Sequence, residues 1–270
     1  MKLTADSGST KTTWLLTTDN GKKSYFYTQG INPFHMDEGT IESVLRNELL
    51  PTLLPYSSEI DTISFYGAGC TPEKSLILKE KLSIVFPNTS SIEVASDMLG
   101  AAKALFGSQP GIACILGTGS NSCLYDGEKI IESISPMGYI LGDEGSGAVL
   151  GKTFLNCLYK GNHRDFIPTF EAETSLTLTE VINKVYRCPL PNRFLASLCP
   201  FIHNHLSEPW IEEMVIDCFQ LFFTNNVKHY NAPNMGIGFV GSVAYYFEEQ
   251  LRAAAKKEDS PIIKIMKEPL

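Results

Sequence analysis

Two segments of the chain repeat the same pattern of apolar and polar positions. Each segment has a strand-like run, a glycine-bearing turn, a second strand-like run and then an Asn-Gly or Asp-Gly pair. The first turn lies at residues 6–11, before Asn20-Gly21, and the second at residues 116–121, before Asp126-Gly127. Because Asn-Gly and Asp-Gly favour tight hairpins, both segments are predicted to be β-meanders.

Alternating helices and strands follow the first meander. Apolar residues three or four positions apart predict a helix that begins at Asp37 and ends at Pro51. Strands are predicted over residues 60–66 and 91–95, with a helix between them over residues 72–86. Such alternation favours parallel pairing, whereas the meanders require antiparallel pairing.

The second half begins in the same way and then becomes mostly helical. A helix is predicted over residues 148–159, and several more are predicted in the stretch that follows it. The end of the chain is predicted to hold a strand and glycine turn within residues 235–242, a helix over 243–257 and a last strand over 262–266. The order of elements therefore repeats in the two halves.

A chain of 270 residues that is 43% hydrophobic can bury one large core or two smaller ones, and the repeat favours two. We therefore expect an α/β protein with an N-terminal domain over residues 1–108 and a C-terminal domain over 109–270. The C-terminal domain is expected to carry a helical insertion at about residues 160–230.

The charge of the chain narrows the range of partners. A net charge of −8 argues against binding to nucleic acid or to an anionic membrane, since both need a basic surface. The apolar runs are too short to span a bilayer, and no basic segment followed by an apolar stretch opens the chain. We expect a cytoplasmic protein that binds phosphate, if at all, through local groups.

The seven cysteines contain no Cys-x-x-Cys pair, and most are expected to be small buried hydrophobic residues. Cys70 follows a glycine-rich segment, but no recognisable base accompanies it, so a catalytic thiol is disfavoured.

The two glycine turns are candidate phosphate loops. Glycine tolerates positive φ and lets several backbone N–H groups converge on an anion, and the neighbouring Ser and Thr hydroxyls add donors. Neither turn has the Gly-Lys-Ser/Thr spacing of a Walker A loop, and both lead into strands rather than helices. Either turn alone is equally well explained as an ordinary hairpin turn; their repetition favours the phosphate interpretation.

Five ordered segments together resemble the superfamily of sugar kinases, hsp70 and actin. The resemblance is closest to the N-acetylglucosamine kinase branch, which is grouped with the activator ATPases of acyl-CoA reductases. The segments are residues 6–11, 95–97, 116–121, 142–146 and 238–242. The resemblance implies two ribonuclease-H-like, actin-like ATPase domains with a nucleotide and substrate cleft between them.

The same resemblance implies a Mg-ATP site. Asp6 would hold Mg²⁺ through water, which suits an ion that prefers oxygen ligands and keeps several waters. The residues implied to bind phosphate or adenosine are Gly8, Ser9, Thr10 and Lys11 in the first loop, Gly117, Thr118, Gly119 and Ser120 in the second loop, and Gly238, Gly241 and Ser242 in an adenosine loop.

Asp97 is the candidate catalytic base, because it follows a buried strand at the place where a cleft between two lobes would open. A carboxylate there could accept the proton of an attacking sugar hydroxyl. The alternative is that Asp97 caps the helix that begins at Met98.

The resemblance also implies a set of sugar-binding residues. Asp143 could instead be a solvated turn residue, and Asn32 could only cap the turn before Pro33. The implied set is Asn32, Gly69, Asp97, Thr118, Asn121, Asp143 and Glu144.

The sequence is therefore interpreted as an ATP-dependent kinase of an amino sugar. N-acetylglucosamine, converted to its 6-phosphate, is the first choice of substrate, followed by N-acetylmuramate and glucosamine. A homodimer is left open. The alternatives are a redox-activator ATPase with an iron–sulfur cluster between two subunits, which needs interface cysteines, and a sugar sensor without catalysis.

Overall fold

The structure is a computed structural model, and it divides the chain into two compact units. The first unit comprises Met1–Ala104 and Pro269–Leu270, and the second comprises Leu105–Glu268. The predicted domains over residues 1–108 and 109–270 stay a prediction. The residues that the structure describes are 1–8, 11–232 and 234–270.

The first unit contains a five-stranded mixed sheet. Its spatial order is β3-β2-β1-β4-β5, with the first three strands antiparallel and both β4 and β5 parallel to β1. This order confirms the predicted meander followed by parallel strands. The strands are β1 (Lys2–Ser7), β2 (Lys11–Thr17), β3 (Lys23–Gln29), β4 (Thr62–Gly67) and β5 (Ser91–Ser96).

Helices connect the later strands of this sheet, and the last one crosses the division between the units. A π-helical turn over Val44–Leu49 joins the first two helices, and a 3₁₀ turn over Ser57–Glu59 precedes β4. The helices are α1 (Glu38–Ser43), α2 (Leu50–Leu53), α3 (Pro72–Val85) and α4 (Asp97–Phe106).

The prediction that Pro51 ends the first helix is wrong. The helical backbone continues through a π turn in which the Leu50 N–H donates to the Leu45 carbonyl, five residues earlier. Pro51 then occupies the first turn of α2, where a missing N–H costs little.

The core of the first unit lies between the sheet and α1–α3. Trp14 and Phe65 are fully buried, with ring centroids 5.7 Å apart. The indole N–H of Trp14 donates to the Thr28 hydroxyl at 3.1 Å, so its one polar atom is satisfied. Buried leucine and isoleucine side chains from α1 and α3 complete the layer.

The second unit repeats the strand order of the first. Its sheet has the order β10-β9-β6-β7-β8, again a meander of three strands beside two parallel strands. The predicted α/β class with two similar sheets is confirmed. The strands are β6 (Gly111–Leu116), β7 (Ser120–Tyr125), β8 (Ile130–Ile134), β9 (Ile237–Val240) and β10 (Ile262–Met266).

Helices between β8 and β9 form most of the second core. Phe154, Phe170, Phe219, Phe222 and Phe223 are all fully buried. Between β8 and β9 the helices are α5 (Gly138–Leu141), α6 (Gly147–Lys160), α7 (Ile167–Thr174), α8 (Leu178–Tyr186), α9 (Pro191–Ala196), α10 (Cys199–Asn204) and α11 (Pro209–Asn225), with 3₁₀ turns at Arg164–Phe166 and Val227–Tyr230. Two more helices, α12 (Ser242–Tyr246) and α13 (Glu248–Lys257), lie between β9 and β10.

Within residues 1–8, 11–232 and 234–270, no helix has both the length and the hydropathy needed to cross a membrane.

The crossing of α6 and α9 requires glycine at one position. A Cβ built on Gly151 would lie 2.0 Å from the carbonyl oxygen of Leu195, and that atom is backbone, which cannot turn away. We therefore expect Gly151→Ala to lower the free energy of unfolding by about 1–3 kcal/mol, measured by urea denaturation.

Gly39→Ala is the matched control. Gly39 is exposed in α1, and the nearest atom to an added Cβ is a side-chain oxygen at 3.3 Å, so alanine should leave stability unchanged or raise it slightly. Equal unfolding midpoints for Gly151→Ala and the unmodified chain would contradict the packing argument.

Candidate functional site

The first glycine turn joins β1 to β2. The Gly8 N–H donates to the Lys11 carbonyl at 3.0 Å, which closes the turn from its two described ends. Ser9 and Thr10 lie outside the described residues, so their phosphate-binding roles stay predictions. Lys11 is exposed, and its Nζ lies 4.9 Å from the centroid of the Tyr27 ring on β3.

Parallel register brings the ends of β1, β4 and β5 to one edge of the first sheet. Asp6 pairs with Tyr66, which pairs with Ala95, and one residue later Ser7 pairs with Gly67. Since register partners in neighbouring strands point to the same face, Asp6 lies on the face that carries the Tyr66 side chain.

The Asp6 carboxylate fits a Mg²⁺ ion that is bound together with phosphate. Asp6 is partly exposed at the end of β1, beside the first glycine turn. Within the described part of the chain, no three His, Cys, Asp or Glu side chains converge to hold a metal. A Mg²⁺ at Asp6 would therefore take most of its ligands from water and phosphate, which is its usual mode in phosphotransferases.

Two buried hydroxyl groups tie the next loop to the first glycine turn. The hydroxyls of Ser7 and Thr12 are 2.6 Å apart, and both side chains are almost fully buried. Ser7 Oγ donates to the Ile31 carbonyl and accepts from the Ile31 N–H, each at 2.9 Å. These bonds place Asn32, the next residue, beside the strand ends.

Asn32 and Gly69 are in direct contact. A Cβ on Gly69 would lie 2.0 Å from Asn32 Oδ1, and Gly69 has a φ of +76°, so both space and conformation require glycine. Asn32 Oδ1 accepts the Phe34 N–H at 3.0 Å, which agrees with the turn-capping interpretation. Its amide nitrogen has no hydrogen-bond partner in the described ranges.

Asp97 is the first residue of α4. Its Oδ1 accepts the Met98 N–H at 2.9 Å, while the capping bond to the Leu99 N–H comes from the Ser96 hydroxyl at 3.3 Å. Ser96 therefore supplies the bond expected of a helix cap. The Asp97 side chain keeps some exposed surface, yet burial raises the pKa of its carboxyl above the usual range.

Cys70 is buried close enough to Asp97 to feel its charge. Burial, and to a smaller degree the Asp97 carboxylate, raises the pKa of the Cys70 thiol to about 12. The thiol is protonated at neutral pH, so Cys70 is not an activated nucleophile.

The second glycine turn is held by the start of α6. The N–H groups of Gly147 and Ala148 donate to the carbonyls of Gly117 and Thr118, at 2.8 and 3.1 Å. The buried Ser146 hydroxyl caps α6 by accepting the Val149 N–H at 3.2 Å. The backbone N–H groups in the first turn of α6 therefore hold the second glycine turn in place.

Asp143 faces this glycine turn. Its carboxylate accepts the Ser120 N–H, and a Cβ on Gly119 would lie 3.1 Å from its Oδ2. Burial, followed by the Glu144 charge, raises the pKa of the Asp143 carboxyl. The half-buried side chain thus joins two of the predicted ligand-binding segments, and it is not simply a solvated turn residue.

The other two predicted sugar ligands in this unit are held locally. Glu144 accepts hydrogen bonds from the side-chain amides of Asn225 and Asn226, at 2.9 and 3.4 Å. Asn121 Oδ1 accepts the Ser122 N–H at 2.8 Å. Their roles, like that of the exposed Thr118, stay predictions.

The predicted adenosine loop lies against the end of β6. Gly241 has a φ of +128°, and a Cβ there would be 2.2 Å from the Leu116 carbonyl oxygen. Gly238 is buried inside β9, where a Cβ would be 3.0 Å from Leu105 and 3.1 Å from Phe106. Gly238 thus serves packing of β9, and its contact with a nucleotide stays a prediction.

A cavity of ≈ 550 Å³ within the second unit joins the second glycine turn to the adenosine loop. Its size is that of a small-molecule site. Ser242 at the start of α12 was among the predicted residues, whereas the walls from α9, α10 and the rest of α12 were not, although the small residues around the break between α9 and α10 were a usable signal. The lining residues are Gly117, Thr118, Ala196, Ser197, Cys199, Pro200, His203, Asn204, Ser242, Val243, Tyr246 and Phe247.

Solved structures resemble this chain over nearly its full length. A protein of Porphyromonas gingivalis, described as a candidate N-acetylglucosamine kinase, is 47% identical, with a TM-score of 0.94 over 100% of this chain and 95% of the other. No family model and no curated protein matches the chain.

Two more distant structures share the fold. A candidate N-acetylglucosamine kinase of Chromobacterium violaceum is 16% identical, with a TM-score of 0.77 over 99% of this chain and 95% of the other. A glucokinase of Streptomyces griseus, in complex with glucose and AMPPNP, is 14% identical, with a TM-score of 0.56 over 98% and 94%.

Alanine at Gly241 should distort the cavity. The substitution opposes both the positive φ and the approach of Leu116, so the turn that carries Ser242 must move. We expect Gly241→Ala to weaken ATP binding about tenfold or more, measured by calorimetry, while Gly39→Ala leaves the Kd unchanged. A folded Gly241→Ala variant with the unmodified Kd would contradict the prediction that the loop at Gly238, Gly241 and Ser242 binds adenosine.

Removing the charge of Asp97 should stabilise the fold. A carboxyl whose folded pKa exceeds its unfolded value holds its proton more tightly when folded, so its ionised form lowers stability at pH 7. We expect Asp97→Asn to raise the urea midpoint at pH 7, and the gain to shrink as the pH falls toward about 4. A lower midpoint at pH 7 would instead support a structural role at the start of α4.

Proposed function

Since the chain belongs to the N-acetylglucosamine kinase-like branch of the sugar kinase, hsp70 and actin superfamily, we propose that it transfers the γ-phosphoryl group of ATP to an amino sugar. The preferred acceptor is the 6-hydroxyl of N-acetylglucosamine. The observation that carries the proposal is Asp97, a carboxylate with a raised pKa at the strand edge where Asn32 and Gly69 also lie.

Asp97 is proposed as the general base. As the sugar oxygen forms its bond to the γ-phosphorus, its proton passes to the Asp97 carboxylate, and the bond between the γ-phosphorus and the bridging oxygen breaks to release ADP. A base works best when its pKa approaches the working pH, so burial of Asp97 favours proton acceptance.

A phosphate-binding role is proposed for each glycine turn by itself. Gly8 and Lys11 lie at the described ends of the first turn, and Gly117 to Ser120 form the second. Bound Mg²⁺ would neutralise phosphate charge, and Asp6 would hold the ion through water. The backbone of the second turn is already fixed by α6, so it needs little reorganisation to act as a donor.

Sugar-binding roles are proposed for Asn32 and Gly69 in the first unit and, separately, for Asp143 and Asn121 in the second. Amide and carboxylate side chains together supply donors and acceptors that match hydroxyl and acetamide groups. Asn32 Oδ1 accepts the Phe34 N–H, whereas the Asn32 amide N–H₂ has no partner in the described ranges, so it can donate to a ligand.

The adenosine part of ATP is proposed to occupy the cavity beside Ser242. The walls are largely apolar and include Tyr246 and Phe247, which suits a planar base. The Streptomyces griseus glucokinase, which shares the fold, was solved with AMPPNP. The proposed reaction uses ATP and sugar as its partners and takes place in the cytoplasm.

Sugar-stimulated ADP release tests the proposal. With Mg-ATP we expect turnover in the presence of N-acetylglucosamine, N-acetylmuramate or glucosamine in preference to glucose. Replacing the base should cost about 10²–10⁴-fold in kcat, so Asp97→Ala should be nearly inactive.

Asp37→Ala is the matched control for loss of a carboxylate that accepts a backbone N–H at the start of a helix, because Asp37 accepts the Thr40 N–H at 2.9 Å at the start of α1. It should retain kcat. Sugar-independent hydrolysis together with bound iron would favour the redox activator, and sugar binding without turnover would favour the sensor; either result overturns the kinase.

A further inference from the structure

Three polar side chains form a closed network between β4, β5 and α4. The Tyr66 hydroxyl donates to Glu93 at 2.8 Å, and Lys103 Nζ donates to the other Glu93 oxygen at 2.6 Å. Lys103 Nζ also lies 3.3 Å from the Tyr66 hydroxyl. Each member therefore contacts the other two, and the network joins two neighbouring strands to the helix that begins at Asp97.

The network lies on the sheet face that also carries Asp6. In the register row Asp6, Tyr66 and Ala95, Tyr66 stands on the middle strand. The network therefore lies beside β1, which carries Asp6 next to its last residue, and beside α4, which begins with Asp97.

Helix α4 packs directly on Tyr66. A Cβ on Gly100 would lie 2.6 Å from the Tyr66 Cβ and 2.7 Å from its Cγ, so the helix backbone rests on the base of this side chain. Gly100 is three residues after Asp97, about one helical turn. The packing therefore acts close to the candidate base.

We propose that Tyr66, Glu93 and Lys103 are positioning residues that hold the first turn of α4, and with it the Asp97 carboxylate, in the geometry needed for phosphoryl transfer. The inference rests on the proposed function of Asp97. Lys103 follows Asp97 by six residues, about 9 Å along the helix, so a tilt of the helix on Tyr66 moves the carboxylate.

The charged side chains of the network are partly exposed, so their effect on Asp97 can be measured in variants that still fold. The side chains of Lys103 and Glu93 are 34% and 42% exposed, and ion pairs with that exposure contribute little to stability. The same hydrogen bonds overcome the opposing effect of burial and lower the pKa of Glu93, so the pair is charged at neutral pH. Variants of the network are therefore expected to fold.

The kinetic test uses Tyr66→Phe and Lys103→Met. Small displacements of a reacting group cost up to about 10²-fold, so we expect kcat to fall about 10- to 100-fold with little change in the KM for ATP. Lys103→Arg, which keeps the charge and the donors, should recover most of the activity.

Lys81→Met is the matched control. Lys81 makes an ion pair with Glu38 at 3.1 Å, in the same unit and between α3 and α1. The same substitution there should leave kcat near the unmodified value. Equal effects of Lys81→Met and Lys103→Met, or an unchanged kcat in Tyr66→Phe, would overturn the inference.

Amide hydrogen exchange tests the positioning without any activity. The Met98 and Leu99 N–H groups bond to Asp97 and Ser96, so their exchange reports the first turn of α4. We expect both amides to exchange about tenfold faster or more in Lys103→Met than in Lys81→Met. Equal exchange in Lys103→Met and Lys81→Met would overturn the positioning role. If the unmodified protein has no kinase activity but exchange is still faster in Lys103→Met, only the kinase function is overturned.

Discussion

The parallel register of β1, β4 and β5 is the constraint on which the candidate site of the first unit depends. It sets Asp6, Tyr66 and Ala95 in one row, so the residues that follow each strand meet at one edge of the sheet. A slip of one residue would turn Asp6 to the opposite face. On its other side β1 pairs with β2, where the buried hydroxyls of Ser7 and Thr12 lie opposite one another in the antiparallel register and are hydrogen-bonded.

The second unit repeats the strand order of the first, but its glycine turn is held by different contacts. Its glycine turn is fixed from outside the sheet by the first N–H groups of α6, whereas the first turn is accompanied by the buried hydroxyls of Ser7 and Thr12. Gly241 then lets the turn after β9 approach the end of β6 closely. The first unit thus presents the Asp6 and Asp97 carboxylates with the Asn32 amide, and the second presents a backbone loop beside the Asp143 carboxylate and a largely apolar cavity.

Local pattern was enough to predict most elements of both sheets. The period of apolar residues and the turn pairs predicted the meanders, and β10 and α3 begin where they were expected. The helix expected to end at Pro51 continues, because a π turn accommodates the proline, and no local pattern indicates a π turn.

The candidate site was less predictable than the fold. Asp97 and Asp143 stand at strand or turn ends that the pattern locates, but their raised pKa values depend on burial by residues distant in sequence. The contact of Asn32 with Gly69 and the cavity walls from α9 and α10 depend on tertiary packing, which spacing along the chain does not encode.

Phosphorus NMR of the reaction mixture tests the central claim most directly, because it identifies where the γ-phosphoryl group goes. With Mg-ATP and N-acetylglucosamine, the account predicts a sugar phosphate monoester that grows in step with ADP, with its phosphorus coupled to the protons on carbon 6. Inorganic phosphate as the sole product, or unchanged ATP from a folded protein, would contradict it.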